Sequence, residues 1–271
     1  MLASAAVLLV GCGKMGGAMI AGWRERGLTR AVVVEPAGAA VAALRLPPGM
    51  RVVEDAAAVP ADFAPDMVVL AVKPQAMDDV APRYRRFADA GVQILSIAAG
   101  KTLDYFAARL GVGAPVIRVM PNLPASIGRG ISVAVANPHT GGTGRDLAEA
   151  LLAACGEVAW VDDEALLDAV TALSGGGPAY VFLLVELLAR AGIECGLPPA
   201  LAQRLARVTV AGSGELIRQS TEAVETLRQN VTSPGGTTLE ALKILMADDG
   251  LQPIVTRALQ AATRRSRDLS K

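Results

Sequence analysis

Three glycines near the start of the chain have the types and spacing to hold a phosphate. Gly11, Gly13 and Gly16 follow the apolar run 7–10 as G-x-G-x-x-G, and residues 18–23 continue as a predicted helix. The first glycine permits a tight turn, the second lets the backbone approach a pyrophosphate, and the third lets the helix pack on the strand. With Lys14 and Met15 between them, they predict a dinucleotide site at a helix N-terminus. The alternative is a glycine-rich turn that binds nothing.

A carboxylate at the end of the second apolar run, 31–34, has the position to bind the sugar of such a ligand. Glu35 follows the third glycine by roughly 20 residues, where an acidic side chain meets an adenosine ribose, although a solvated strand-end carboxylate fits equally well. A carboxylate accepts hydrogen bonds from the ribose hydroxyls of NADH but repels the 2′-phosphate of NADPH. Residues 36–40 contain no cation, and the next basic residues are Arg45 and Arg51. The sequence therefore favours NADH.

Polar or small residues also follow three later apolar runs, 67–72, 93–97 and 115–119. The carboxyl ends of parallel strands are where ligands of open α/β sheets bind, so these residues are expected near the cofactor. Lys73 is predicted to face it, Ala98 leaves room for a flat ring, and Asn122 is fixed between two prolines, where a purely structural turn is the alternative. The candidate cofactor contacts here are Ala71, Val72, Lys73, Pro74, Ala98 and Asn122.

A second glycine-rich stretch, 233–238, opens another predicted helix. Gly235, Gly236 and Thr237 present successive N–H groups, and Thr238 adds a hydroxyl at the start of the helix. Together with Ser233, this loop is predicted to bind a carboxylate without an arginine. The alternative is an ordinary capping turn.

The only histidine in the chain, His139, lies in the glycine-rich loop 137–144. An exposed loop histidine is the expected reading. Reactions that depend on a positioned histidine base, such as a Ser-His-Asp triad, are therefore not expected. Three cysteines and one histidine also do not build a zinc site.

The order of the elements predicts how these residues are positioned. Strand and helix alternate up to about residue 161, with a crossover helix at 39–46, a helix at about 146–155 and further strands at 51–53, 131–136 and 157–161. This alternation indicates a Rossmann-type parallel sheet. From 162 onward apolar residues recur at helical spacing. The predicted fold is therefore an α/β dinucleotide-binding domain, 1–161, followed by an all-α domain, 162–271, with helices at 164–173, 178–195, 199–220, 239–248 and 253–269.

Composition narrows the class of partner. The 271 residues carry zero formal net charge and no basic block, which argues against nucleic acid and anionic membrane surfaces. Uncharged runs fall short of the roughly 20 apolar residues of a membrane span. Three scattered cysteines suit a reducing compartment, and no Lys or Arg precedes the first apolar run as in a signal peptide, so a cytoplasmic protein is expected.

One helix of the second domain points to self-association. The predicted helix is apolar nearly all round from Tyr180 to Cys195, broken chiefly by Glu186 and Arg190. Such a helix is usually buried, and in a small domain a second subunit is expected to bury it.

The motifs together resemble the Δ1-pyrroline-5-carboxylate reductase family along nearly the whole chain. They are Gly11-Cys-Gly-Lys-Met-Gly16, Ala71-Val-Lys-Pro-Gln75, Val119-Met-Pro-Asn122, Ser174-Gly-Gly-Gly-Pro-Ala-Tyr180 and, most distinctive, Val231-Thr-Ser-Pro-Gly-Gly-Thr-Thr-Leu239. The resemblance implies a helical domain that dimerises, and a Ser233 to Thr238 loop that binds substrate against a cofactor held by the other domain. Two departures are Gly176, where serine is common, and Glu35, where NADPH-preferring members carry small polar residues.

This resemblance implies hydride transfer from NAD(P)H to the C=N bond of 1-pyrroline-5-carboxylate, giving L-proline. Thr238 is the candidate hydrogen-bond donor to the ring nitrogen, and Lys73 is the second candidate catalytic residue. Two alternatives remain. A β-hydroxyacid dehydrogenase would need a lysine from the helical domain, and none follows the Ser174 motif at the required spacing. A dinucleotide-sensing module would bind the cofactor without turnover.

Overall fold

The computed structural model describes residues 2–37 and 47–270. The predicted crossover helix at 39–46, and Arg45 within it, lie outside the described residues. Among the described residues, the strands are β1 (Ala6–Val10), β2 (Arg30–Val34), β3 (Met50–Val53), β4 (Met67–Leu70), β5 (Gln93–Ser96), β6 (Val116–Met120), β7 (Gly130–Ala136) and β8 (Gly156–Trp160).

The described α-helices are α1 (Lys14–Glu25), α2 (Met77–Val80), α3 (Arg85–Asp89), α4 (Leu103–Leu110), α5 (Gly142–Ala153), α6 (Leu166–Val170), α7 (Gly177–Glu194), α8 (Pro199–Gln219), α9 (Val224–Asn230), α10 (Thr237–Leu245) and α11 (Leu251–Leu269). Short 3₁₀ turns lie at Leu2–Ser4, Ala56–Ala58, Pro74–Ala76, Ala81–Tyr84 and Leu123–Ile127.

The strands form one sheet in the order β3-β2-β1-β4-β5-β6-β7-β8. Neighbouring strands are parallel except β6 and β7, which pair antiparallel with Val119 opposite Ala134. The connection 121–129 is shorter than the dozen or so residues that a parallel crossover needs, so the chain turns back on itself. The predicted Rossmann-type fold class is confirmed.

Both faces of the sheet are covered. On one face α1 and α5 pack together, and the fully buried Trp23 donates from Nε1 to the Leu151 carbonyl at 2.8 Å. On the other face Met77, Tyr84 and Phe106 pack against the strands. Because the sheet is buried on both faces, its strands are continuous apolar runs, which explains why the sequence located them.

The chain divides into two compact units, Met1–Gly175 with Ala262–Lys271, and Gly176–Ala261. The predicted boundary after Val161 lies earlier. The difference arises because Leu167 on α6 is fully buried against Val133 and Val135 of the sheet, which places α6 in the first unit. The end of α11 also belongs to the first unit.

The second unit is helical, and the helical part of the chain after residue 163 differs from the prediction in two places. The predicted helix 164–173 is instead α6 followed by a π-helical turn, Thr171–Gly175. Helix α9 has no predicted counterpart, and two of its seven residues, Val224 and Leu227, are apolar. Along α7 large apolar side chains such as Val181, Phe182 and Leu187 are exposed in the single chain. Among the described residues, Leu166–Glu194 is the stretch long and apolar enough to cross a membrane by length and composition alone.

Candidate active site

The glycine turn between β1 and α1 is shaped by close backbone contacts. Gly11 has φ +89°, and a Cβ there would lie 2.9 Å from the Ala71 carbonyl oxygen. A Cβ on Gly16 would lie 2.2 Å from the Gly11 carbonyl oxygen, so the helix could not pack this closely. Gly13 instead has open space within 4 Å. The first and third glycines are therefore required by packing, while the second leaves a free surface.

The first turn of α1 offers hydrogen-bond donors to an anion. Gly13 is its N-cap residue, and no side chain caps the helix. Gly17 N–H donates to the Gly13 carbonyl at 2.8 Å, so the N–H groups of Lys14, Met15 and Gly16 precede the first helical bond. These groups and the positive end of the helix dipole suit the phosphates of a dinucleotide, as the motif predicted.

Glu35 at the end of β2 contacts the glycine turn directly. Its Oε2 accepts from the Cys12 N–H at 2.7 Å, and its Oε1 accepts from the Ala37 N–H at 2.9 Å. The spacing predicted a carboxylate beside the motif, but not that it holds the turn as well. Burial, assisted by the Glu35 charge, raises the pKa of the Cys12 thiol to about 11, so this thiol is protonated at neutral pH.

The end of β4 lies beside the same turn. Ala71 donates its N–H to the Val10 carbonyl at 2.7 Å, and Val72 Cγ1 would be 2.8 Å from a Cβ on Gly11. Lys73 follows as an exposed residue, and Pro74 opens the short 3₁₀ turn. The structure thus brings Ala71 and Val72 against the glycine motif and leaves the Lys73 ammonium in solvent at the same sheet edge.

Ala98 and Asn122 follow the next strands and have defined protein partners. The buried Ala98 donates its N–H to Ser96 Oγ at 3.2 Å. Asn122 Oδ1 accepts from the Ile131 N–H at 2.9 Å, and its Nδ2 donates to Ser174 Oγ at 3.1 Å. The Asn122 amide therefore ties the start of β7 to the π-helical turn, a structural contact that the sequence did not indicate.

The loop 233–238 belongs to the second unit. Gly235 has φ +72°, and Gly236 is the N-cap residue of α10, which no side chain caps. The Gly236 N–H donates to the Ser233 carbonyl at 3.0 Å. This bond closes the loop, so it occupies one of the three amides predicted to hold a carboxylate. Thr237 and Thr238 lie exposed in the first turn of α10, whose N–H groups have no intrahelical acceptor.

The sequence did not predict the ion pair between Arg118 and Glu164. Arg118 on β6 is 5% exposed, and its Nη1 donates to Glu164 Oε1 at 2.8 Å. The same oxygen accepts from the Leu103 N–H at 2.8 Å. An arginine inside the apolar strand β6 was the available signal, since a buried guanidinium requires a carboxylate partner.

Comparisons with known proteins agree with this arrangement. Residues 164–269 match the family model described as pyrroline-5-carboxylate reductase dimerisation. Residues 6–100 match the model described as NADP oxidoreductase coenzyme F420-dependent. The pyrroline-5-carboxylate reductase of Pseudomonas aeruginosa is 39% identical over 267 residues, covering 98% of this chain and 97% of the relative.

Two solved structures have the same fold over almost the whole chain. A pyrroline-5-carboxylate reductase from Coxiella burnetii superposes with a TM-score of 0.90 at 32% identity, covering 99% of both chains. The Plasmodium falciparum pyrroline carboxylate reductase, solved with NADP bound, has a TM-score of 0.81 at 25% identity and covers 100% of both chains. On the full-length identity to its relatives, this chain belongs to the pyrroline-5-carboxylate reductase family.

Proposed function

We propose that this chain reduces the C=N bond of 1-pyrroline-5-carboxylate to give L-proline, with NADH or NADPH as reductant. The observation that carries the proposal is the 39% identity to a named reductase over nearly the full chain. Two uncapped helix starts behind glycine turns, α1 and α10, support it because each suits one anionic ligand.

The cofactor is assigned to the edge of the sheet. Backbone N–H groups of residues 13–16 would hold its pyrophosphate and Glu35 its adenosine ribose, with Ala71, Val72, Lys73, Pro74, Ala98 and Asn122 as further candidate contacts. The open space at Gly13 fits such a group. When bound, the reduced nicotinamide supplies the hydride.

The substrate is assigned to the loop Ser233–Thr238. Because Gly236 already donates to Ser233, the amides of Gly235 and Thr237 become the main candidates for the carboxylate. The Thr238 hydroxyl would donate a hydrogen bond to the ring nitrogen, which makes the imine carbon a better hydride acceptor. Lys73 remains the second candidate catalytic residue, and its exposed ammonium would offer a positive charge near the cofactor.

A single substitution tests the role of Thr238. We expect Thr238→Ala to lower kcat/KM for pyrroline-5-carboxylate by one to two decades, the loss for one hydrogen bond of about 1–3 kcal/mol. Because Thr238 is exposed, the Tm is expected to stay unchanged. The matched control, Thr238→Ser, keeps the hydroxyl and should retain most of the activity. Unchanged kinetics in Thr238→Ala would remove Thr238 from the mechanism.

Self-association is assigned to the helical region that matches the dimerisation model. The exposed apolar side chains of α7 support burial in a second subunit. The three free cysteines agree with a cytoplasmic location, and neither a nucleic acid nor a membrane is proposed as a partner.

One assay separates the proposal from its alternatives. Oxidation of NAD(P)H with pyrroline-5-carboxylate is compared with NAD(P) reduction by a hydroxy acid. Turnover with the imine alone supports the reductase. Turnover with the hydroxy acid would indicate a β-hydroxyacid dehydrogenase, and dinucleotide binding without turnover would indicate a sensing module.

A further inference from the structure

The turn after β5 is packed against the carboxyl-terminal end of the chain. Gly100 in this turn has φ +73°, and a Cβ there would lie 3.0 Å from the carbonyl oxygen of Leu269. Leu269 is the last residue of α11. The backbone of Gly100, two residues after Ala98, therefore rests on the end of the last helix.

A buried hydrogen bond fixes that end of α11. Ser266 is 6% exposed and its hydroxyl donates to Asp168 Oδ1 on α6 at 2.6 Å. The Asp168 side chain is 14% exposed, and its Oδ2 lies 3.8 Å from Arg267 Nε. A hydroxyl bond to a carboxylate is charge-assisted and strong when shielded from water. Asp168 thus anchors the last turn of α11 to α6.

The residues that follow the turn, at the start of α4, are held by Glu164. Glu164 accepts from the Leu103 N–H at 2.8 Å and from Arg118 at 2.8 Å. Glu164, Ser266 and Leu269 all lie within the region matched by the dimerisation model. Both ends of that region therefore contact the segment from Gly100 to Leu103.

We propose that Ser266 and Asp168 are positioning residues for the reduction. Their hydrogen bond holds Leu269 against Gly100, and so keeps the turn after β5 in the conformation that accepts the nicotinamide half of the cofactor. Neither residue touches cofactor or substrate. The proposal rests on the proposed function, in which Ala98 is a cofactor contact.

Two ligands separate positioning from general destabilisation. NADH has a nicotinamide, whereas ADP-ribose has only the adenosine, pyrophosphate and riboses. In Ser266→Ala we expect the calorimetric Kd of NADH to rise about three- to tenfold, in the range of one weakened hydrogen bond. The Kd of ADP-ribose should stay at the value of the unaltered protein, because the glycine turn is untouched.

Matched variants refine the comparison. Asp168→Ala should reproduce Ser266→Ala, whereas Asp168→Asn keeps an acceptor oxygen and should restore NADH binding. Ser270→Ala is the control, because it removes a hydroxyl from the same segment of the chain that donates to the Ser266 carbonyl at 3.2 Å. Combining Ser266→Ala with Asp168→Ala should add nothing to either single effect.

Three results would overturn the positioning role. They are unchanged NADH binding in Ser266→Ala, equal weakening of NADH and ADP-ribose, and failure of both alanine variants to fold. Where Ser266→Ala alone does not fold, the Asp168→Ala and Asp168→Asn pair makes the same comparison. An unaltered protein that binds NADH but does not reduce pyrroline-5-carboxylate would refute the proposed function, and the two-ligand comparison would still decide the role of Ser266.

Discussion

Replacing Glu35 by serine tests cofactor choice, because we propose two separate tasks for this carboxylate. It lies where an adenosine ribose is expected, and it also accepts from the N–H groups of Cys12 at 2.7 Å and Ala37 at 2.9 Å. We expect Glu35→Ser to shift the ratio of kcat/KM values toward NADPH and to destabilise the glycine turn. NADH preference of the unaltered protein is the starting expectation.

The two effects have separate magnitudes. Loss of one charged hydrogen bond to the ribose is worth about 1.5–3 kcal/mol, which lowers kcat/KM for NADH by one to two decades. Removal of the carboxylate also ends its repulsion of a 2′-phosphate, so the NADPH value is expected to rise. The lost bonds to the two backbone amides lower the free energy of unfolding by about 1–3 kcal/mol, discounted because Glu35 is partly exposed.

Glu35→Gln is the control that separates charge from support of the turn. Glutamine keeps the length and one acceptor oxygen, so it should retain part of the stability while removing the repulsion. Initial rates with both cofactors and thermal unfolding of the three proteins provide the measurements. A clear NADPH preference in the unaltered protein would refute the reasoning, as would equal losses with both cofactors in Glu35→Ser.

Three further expectations follow from the same geometry. Gly13→Ala should keep the Tm but weaken dinucleotide binding, whereas Gly16→Ala, whose Cβ would meet the Gly11 carbonyl oxygen at 2.2 Å, should lower the Tm; equal Tm losses would contradict this. Burial raises the pKa of Cys12 and Cys155 from 9.0 to about 11. Because the unfolded chain releases these protons at a lower pH than the folded protein does, the two thiols contribute fully to the free energy of unfolding below pH 9, and this contribution is lost as pH rises toward 11. A free energy of unfolding that stays constant over this pH range would contradict the expectation. Because α7 exposes its apolar residues, the dimer should be obligate, and sedimentation of a stable, active monomer at micromolar concentration would disprove that.

Local patterns in the sequence were sufficient to predict the strands of the sheet and the glycine turn after β1. The strands of the sheet are buried on both faces, so they appear as apolar runs, and glycine spacing located the turn at Gly11 because backbone contacts leave no room for a side chain. Glu35 was found by its spacing from that motif. The strands are detected through burial alone, and the glycine turn and Glu35 through the spacing of a known motif, although Gly11 itself contacts the distant Ala71.

Contacts between distant residues left no such signal. Asn122 and Ser174 are 52 positions apart, and Ser266 and Asp168 are 98 apart, so their hydrogen bonds follow only from the fold. The predicted helix 164–173 contains α6 but was assigned to the second domain, because the burial of Leu167 depends on strands that precede it by about thirty residues in the sequence. Helix α9 was missed because its seven residues are mostly polar.

In the proposed function, the two glycine turns let a chain of zero net charge bind anionic ligands. Both α1 and α10 begin at a glycine N-cap without a side-chain cap, so backbone N–H groups and the helix dipole provide the positive potential. Such donors do not titrate in the physiological range and are fixed by the fold. In the proposed reaction, the rate then depends on how rigidly the two turns and the segment around Gly100 are positioned. A mechanism based on positioning needs no histidine base, and the single histidine of the sequence, His139, is exposed in a loop.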